Sequence, residues 1–416
     1  MAFAPIAKAI EDFCAGKFVV IVDDEDRENE GDLAIAADKI TPDAINFMAT
    51  HARGLICVAA EGWRLDELGL GAMVDQNTSQ FGTAFTVSVD AVGHGVTTGI
   101  SAYDRSATIR LLCDPAAKPV DFSRPGHTFP LRARPGGVLE RAGQTEASVD
   151  LCKLAGRFPA GVICEIMSAD GSMARRAELE LFAQRHDLAM ITIADLIAYR
   201  RKNEQLVTRA ATTTLPTAYG AFTAHGFEDV ITHATHVALT LGDVADGEPV
   251  LVRVHSECLT GDVFGSQRCD CNAQLQKALS IIAATGRGIL VYLRQEGRGI
   301  GLADKLRAYA LQDQGFDTVE ANQELGLPVD KRDYGIGQQI LADLGVTKIQ
   351  VLTNNPRKYY GLSGFGIEVV DQLPLEVPAT EHSRRYLETK REKLGHMLTL
   401  PQSPPVSAPS EQPGGD

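Results

Sequence analysis

Among the residues able to do chemistry, three clustered thiols come first. In Arg253-Val-His-Ser-Glu-Cys-Leu-Thr-Gly-Asp-Val-Phe-Gly-Ser-Gln-Arg-Cys-Asp-Cys271 they fall at Cys258, Cys269 and Cys271, a C-x10-C-x-C spacing. Thiolates are soft ligands suited to Zn2+, and structural zinc sites normally have four protein ligands, whereas three leave one position for water. Water at an open position is activated near neutral pH. A structural zinc completed by His255 or another distant residue accounts for the same spacing, and three ligands alone do not choose between the two.

Three downstream segments bear on that choice. Tyr292-Leu-Arg-Gln-Glu-Gly-Arg-Gly-Ile-Gly301 follows an apolar run and precedes a helical pattern. Its glycines let backbone amides approach an anion while Arg294 and Arg298 supply charge, although a plain strand-to-helix turn has the same composition. Asp330-Lys-Arg-Asp-Tyr334 sets a carboxylate two residues before Arg332, and a solvated charge cluster is the bland alternative. Thr353-Asn-Asn-Pro-Arg-Lys358 follows a predicted strand, a common ligand position in α/β sheets.

In the first half, Asp23-Asp-Glu-Asp-Arg-Glu-Asn-Glu-Gly-Asp32 packs seven carboxylates into ten positions after a buried strand. Charges this dense need cations, water or a hard metal such as Mg2+ to order them, unless the loop is a solvated acidic turn. Arg124-Pro-Gly-His-Thr-Phe-Pro-Leu-Arg-Ala133 carries His127 in a Gly/Pro turn before a strand. Arg141-Ala-Gly-Gln-Thr-Glu-Ala147 opens a helix whose Thr145 and backbone amides suit a phosphate. Glu165, at the end of a predicted strand, is placed for acid–base work. Each of these also has a structural reading: a satisfied histidine, a helix cap, a paired glutamate.

The elements that must position these groups alternate along the chain. Strands are predicted at 18–22, 55–60, 85–89 and 161–166, and helices at 101–113, 146–154 and 172–185, with a strand end and helix over 191–206. Thr41-Pro42 reads as an N-cap and first-turn proline of a helix ending near Gly54. The Thr- and Ala-rich stretch 203–218, with Pro216 inside it, is taken as the boundary, giving domains 1–203 and 204–400. Beyond it, strands are predicted at 235–241, 250–254, 288–293, 348–352 and 367–370, and helices at 273–284, 302–312, 337–344 and 381–400. Residues 401–416 are Pro/Ser/Gly-rich and read as a disordered tail. The expected fold class is α+β or α/β, two layered globular domains in tandem, each with a mixed sheet and flanking helices.

Composition agrees. The 416 residues suit two domains, and 44% apolar with 23% charged residues is ordinary for soluble cores. A net charge of −14 repels polyphosphate backbones, and 6% aromatics leave little for base stacking, so nucleic acid is not an expected partner. No run reaches the ~18–20 apolar residues of a spanning helix, and the N-terminus lacks a signal-peptide pattern. No membrane partner and a cytoplasmic location are therefore expected.

From about residue 205 to 400, motifs and order resemble GTP cyclohydrolase II. The resemblance implies zinc on Cys258, Cys269 and Cys271, and GTP contacts at Arg253, Val254, His255, Ser256, Glu257, Gln274, Glu296, Gly297, Arg298, Thr318, Thr353 and Lys358. It implies Asp330 as proton acceptor, Arg332 as nucleophile at the α-phosphate, and Tyr309 as a catalytic tyrosine near guanine. An arginine stays protonated at neutral pH, so Arg332 as a charge stabiliser, with Asp330 orienting water, is equally open. The reaction implied opens the guanine imidazole ring at C8, releasing formate and pyrophosphate, with Mg2+ on the phosphates. Asn272 departs from the family, which has glycine after C-D-C, and is expected to strain the turn.

Residues 5–200 resemble 3,4-dihydroxy-2-butanone 4-phosphate synthase, and fused chains of this kind are the bifunctional riboflavin biosynthesis enzymes. This implies ribulose 5-phosphate contacts at Arg27, Glu28, Asp32, Arg141, Ala142, Gly143, Gln144, Thr145 and Glu165, and catalytic roles for His127 and Glu165. It also implies Mg2+ or Mn2+ on Glu28 and position 144, and a homodimer. Gln144 stands where the family motif has a metal-ligating histidine. A neutral amide is a weak ligand that cannot exchange a proton near pH 7, so the first activity is expected to be weakened or lost. Two further readings follow: a cyclohydrolase with an inert N-terminal assembly domain, and a non-catalytic guanine-nucleotide regulator.

Overall fold

A computed structural model describes residues 3–24, 27–79, 81–327, 332, 335–355, 366–378, 380 and 383–393. The chain divides between Glu204 and Gln205 into two compact units. Among its described residues the first holds seven strands: β1 (Val19–Val22), β2 (Gly31–Ala36), β3 (Cys57–Glu61), β4 (Val89–Ala91), β5 (Phe122–Ala133), β6 (Ala160–Glu165) and β7 (Ala189–Thr192), in the sheet order β4-β5-β3-β6-β2-β1-β7. The sheet is mixed, β1–β7 and β3–β5 being parallel and the other neighbours antiparallel.

Residues of β1 are all buried because both faces are covered. Val20 and Val22 join one apolar cluster with Leu33 and Val58, while Val19 and Ile21 join a second with Ala34 and Ala59. A strand buried on both faces reads as a continuous apolar run, as Val19-Val-Ile-Val22 does. Thr41 caps its helix as expected, its Oγ1 accepting from the Ala44 N–H at 3.1 Å.

The second unit holds β8 (Val207–Thr217), β9 (Gly220–Asp229), β10 (Thr235–Leu241), β11 (Val250–Ser256), β12 (Gly288–Leu293), β13 (Lys348–Leu352) and β14 (Glu368–Leu373), ordered β14-β13-β11-β12-β10-β9-β8. Strands β14, β13, β11 and β12 are parallel, and β12, β10, β9 and β8 antiparallel. The connection from β11 runs to one neighbour, β12, and the chain later returns to its other side as β13. That reversal opens a crevice at the carboxyl end of β11, where open α/β sheets bind ligands.

Two expectations change. The stretch 203–218 is no bare linker: most of it is β8, an edge strand paired with β9, which is where a proline such as Pro216 is tolerated. The span 85–89 is not a strand; Phe85 and Thr86 make only isolated bridges to Leu131 and Ala72, and β4 begins at Val89. The terminal helix is described over Arg384–Glu392, and the expected tail, 401–416, lies outside the described residues.

A buried ion pair fixes the last helix of the first unit, Ile193–Asn203. Arg200 Nη1 donates to Asp150 Oδ2 at 2.7 Å, with the side chains 7% and 2% exposed. Burial pushes the Asp150 carboxyl up to about 6 despite the opposing Arg200 guanidinium. A carboxyl raised in the folded state loses stability as pH rises from its unfolded value, about 4, through about 6. Arg200→Met, which strands that carboxylate, is expected to cost the first unit about 3–5 kcal/mol at pH 8 and clearly less at pH 5, as read by calorimetric melting.

Candidate functional site

Cys258 follows β11, and Cys269 and Cys271 flank the start of the helix Cys271–Thr285. Their sulfurs all lie within 4.8 Å of one another, with Cys258 and Cys269 3.6 Å apart. Among the described residues no fourth His, Cys, Asp or Glu joins them. Neither ring nitrogen of His255 joins the group, and its Nε2 sits 3.1 Å from both oxygens of Asp262. Asp262 also accepts from the Tyr292 hydroxyl at 2.8 Å and the Cys258 N–H at 3.0 Å, so one buried carboxylate holds the first thiol's backbone.

Gly261 explains how three sulfurs fit so closely. A Cβ there would stand 3.0 Å from Cys269 Sγ and 3.1 Å from Cys258 Sγ. Lys305 Nζ donates to Cys258 Sγ at 3.1 Å and to Glu296 Oε1 at 2.7 Å. Burial opposes charge on this ammonium, but Glu296 and the Cys258 sulfur outweigh it and hold the group well above its usual value. Hydrogen bonds from Cys269 and Cys271, with Lys305, pull the Cys258 thiol far down, while the Cys258 thiolate pushes Cys269 up to about 11. Without a cation only one of the three loses its proton readily. Soft donors, a cradle cleared by Gly261 and this charge imbalance fit a thiophilic divalent metal.

The trio lies in a cleft of about 1090 Å3 counted with its open mouth, room enough for a nucleotide. Arg253, His255, Ser256, Glu257, Gln274 and Thr353 line it from the strand ends and the helix Cys271–Thr285, and Glu296, Gly297 and Arg298 from the loop after β12. Tyr309, Thr318 and Arg332 complete the predicted set brought together there. Val254 is not among them: it is 1% exposed inside β11, because alternate residues of a strand face opposite ways. Asp330 and Lys358 lie outside the described residues.

Both Gly297 and Arg298 take left-handed backbone (φ 61°), which costs a non-glycine residue about 1–2 kcal/mol. Arg298 is held there with its guanidinium over the Tyr386 ring at 5.8 Å. Its Nη1 and the Ser256 Oγ are buried without a partner among the described residues, so both await a ligand acceptor or donor. Burial pushes the Tyr309 phenol up to about 12, and its oxygen lies 3.4 Å from Thr260 Oγ1. Asn272 does not strain its turn: it is helical, and its Nδ2 donates to the Asp262 carbonyl at 3.0 Å.

In the first unit the described residues of the acidic loop bond to one another, Glu25 and Asp26 lying outside the described residues. Asp23 accepts from the N–H groups of Glu30 (2.8 Å) and Glu28 (3.1 Å) and from Arg27 Nη1 (2.8 Å). Arg27 then reaches Glu28 Oε1 at 2.9 Å and Gln144 Oε1 at 3.2 Å, so a guanidinium joins the two expected metal positions. Nε2 of Gln144 is buried without a partner among the described residues. Asp32 faces Glu165 across β2 and β6, and burial, then Glu165, Glu28, Glu30 and Asp23, push its carboxyl far up. Among the described residues these carboxylates do not close into a ready three-ligand cluster, although hard oxygen donors of this kind are the type that Mg2+ takes.

Glu165 Oε2 accepts from the Leu55 N–H at 2.8 Å, and Gly54 allows the approach, since a Cβ there would come within 2.6 Å of that oxygen. His127 lies inside β5 rather than in a turn, its Nδ1 2.7 Å from Asp90 Oδ2, while its side chain is 46% exposed. Arg141 pairs with buried Glu146 at 2.6 Å; Gly143 and Thr145 are buried at the helix start, and Ala142 is exposed.

Several working residues escaped the sequence reading. Lys305 stands four residues before Tyr309, a helical spacing that signals a shared face. Gly261 and Asp262 lie inside the cysteine segment but only the fold shows their role. Asp90 and the Asp270 contact of Lys390 carry no sequence signal, since the partners are distant along the chain.

Fold and site together define a tandem pair of α/β enzymes, the second built on a three-cysteine cradle. The chain matches the family 3,4-dihydroxy-2-butanone 4-phosphate synthase over residues 7–199 and GTP cyclohydrolase II over residues 208–374. It is 59% identical to the riboflavin biosynthesis protein RibBA of Aquifex aeolicus over 398 residues, 95% of this chain and 98% of that one. It is 58% identical to RibBA of Bacillus cereus, covering 96% and 100%. Among solved structures, RibBX of A. baumannii, described as a two-domain 3,4-dihydroxy-2-butanone 4-phosphate synthase, matches with a TM-score of 0.69 and 40% identity over 90% of this chain and 100% of that one. The chain belongs to the RibBA family of bifunctional riboflavin biosynthesis enzymes. The readings as a monofunctional cyclohydrolase or a non-catalytic regulator therefore fall.

Gly261→Ala forces the sulfurs apart by a few tenths of an ångström. It is expected to weaken binding of added Zn2+ about tenfold in a chelator competition, with circular dichroism unchanged.

Proposed function

We propose that the second unit hydrolyses GTP to 2,5-diamino-6-(5-phosphoribosylamino)pyrimidin-4(3H)-one, formate and pyrophosphate. The first unit then converts D-ribulose 5-phosphate to 3,4-dihydroxy-2-butanone 4-phosphate and formate. The observation that carries the first reaction is the sulfur trio set in a nucleotide-sized cleft beside the unpartnered Arg298 Nη1 and Ser256 Oγ.

Zinc held by Cys258, Cys269 and Cys271 supplies Lewis-acid activation of water when bound. Lys305 keeps its positive charge beside Cys258 and so offsets thiolate charge where the purine must approach. Tyr309, with its phenol pushed to about 12, stays protonated at neutral pH and donates a hydrogen bond toward the base. Arg298 and Arg332 serve the charged end of the nucleotide. Arg332 acts as a charge stabiliser rather than a nucleophile because a guanidinium stays protonated, and Asp330 is assigned the proton acceptor's role.

In the first unit, Glu28 and Gln144 Oε1, both now on Arg27, would hold Mg2+, with Asp32 and Glu165 close to the same charge. Asp90 fixes the His127 ring so that Nε2 is the atom left to move a proton. Glu165, anchored by the Leu55 N–H, is the second acid–base group. Gln144 in place of histidine weakens this activity without abolishing it, since a glutamine oxygen still ligates Mg2+. A cytoplasmic homodimer acting on these two small molecules, with no nucleic acid or membrane partner, completes the reading.

Incubated with GTP and Mg2+, purified protein is expected to yield the pyrimidine absorbance, formate and pyrophosphate in equal amounts, and Cys269→Ser to lower turnover at least about 100-fold. Unchanged GTP would overturn the assignment. Gln144→His is expected to raise formate release from ribulose 5-phosphate about tenfold, and an unchanged rate would show that position 144 is not the limiting ligand.

A further inference from the structure

The helix Arg384–Glu392 lies beyond residue 374, where the cyclohydrolase match ends, yet it forms part of the cleft wall. Tyr386 and Lys390 are four residues apart and share one helix face, and both line the cleft. Lys390 Nζ donates to Asp270 Oδ1 at 2.6 Å, with the two side chains 10% and 3% exposed. The same ammonium stands 4.5 Å from the centre of the Tyr386 ring.

Asp270 occupies the single position between two of the three thiols. Its second oxygen accepts from Gln274 Nε2 at 2.6 Å, and Gln274 Oε1 accepts from Arg253 Nη2 at 2.6 Å. Arg253 Nη1 in turn reaches the Leu352 carbonyl at 2.9 Å, at the end of β13. A chain of short bonds thus runs from the terminal helix, through the Cys269-Asp270-Cys271 turn, to two strand ends. A carboxylate this buried is stable only while its partners remain; Lys390 is the cation bonded to it directly, and Arg253 acts through Gln274.

We infer that Lys390 is a positioning residue for the metal turn: by clamping Asp270 it holds Cys269 and Cys271 in ligating geometry, so metal retention depends on the terminal helix. This rests on the reading of the three cysteines as the zinc ligands. Groups that orient a metal's ligands typically change affinity 10–100-fold when lost.

The test is the rate at which full-length, zinc-loaded protein releases Zn2+ to a chromophoric chelator, alongside far-UV circular dichroism. Lys390→Met is expected to release zinc at least about tenfold faster than the native protein with an unchanged spectrum, and Lys390→Arg to stay within about threefold of native. Lys393→Met is the control for helix docking alone. Lys393 ties the helix end to Asp317 and to Glu320 at 3.0 Å, away from Asp270, and its loss is expected to leave release unchanged. Should Lys390→Met not fold, Lys390→Gln, which keeps a donor without the charge, is expected to release zinc several-fold faster. Native protein with one zinc per chain and variants releasing it at the native rate would overturn this inference alone. Native protein that holds no zinc would overturn the cysteine reading, and this inference with it.

Discussion

Three sulfurs within 4.8 Å of one another cannot all be charged without a cation between them. Most of the second unit's local architecture serves that constraint. The split in sheet order delivers Cys258 at the carboxyl end of β11, and the helix Cys271–Thr285 presents the other two thiols at its start. Gly261 clears the space, Asp262 pins the Cys258 backbone, and Lys305 sets a positive charge against the Cys258 sulfur. Among the described residues no fourth His, Cys, Asp or Glu joins the trio, which keeps a side facing the cleft.

The first unit meets the opposite version of the same problem. Hard carboxylates converge on Asp32, and the loop answers with Arg27, a guanidinium that bonds Asp23, Glu28 and Gln144 at once. Soft sulfur donors thus gather in one unit and hard oxygen donors in the other. Gln144 belongs to this balance: its oxygen is engaged by Arg27, so in this chain a cation must compete with a built-in one.

Much of this was legible in sequence, for physical reasons that differ by residue. Strands β10, β12 and β13 run over the predicted residues because apolar β-branched runs bounded by turns have few other outcomes. Thr41 announced its helix because capping is a local interaction. The cysteine spacing was readable because a metal needs its ligands near each other whatever the fold. Sheet order, the edge position of β8 and the partners of His127 and Asp270 were not readable. Asp90 lies 37 positions from His127 and Lys390 120 from Asp270, and no local pattern encodes such pairings or the order of strands in a sheet. Pro216 misled for the same reason: a proline argues against a strand until the strand is known to lie at an edge.

The central claim concerns the fourth position on the metal, and X-ray absorption at the zinc edge of the full-length protein reads it directly. Three sulfurs at about 2.3 Å and a single oxygen at about 2.0–2.2 Å are expected. A fourth sulfur, or the scattering signature of a coordinated imidazole, would close the position to solvent and contradict the account.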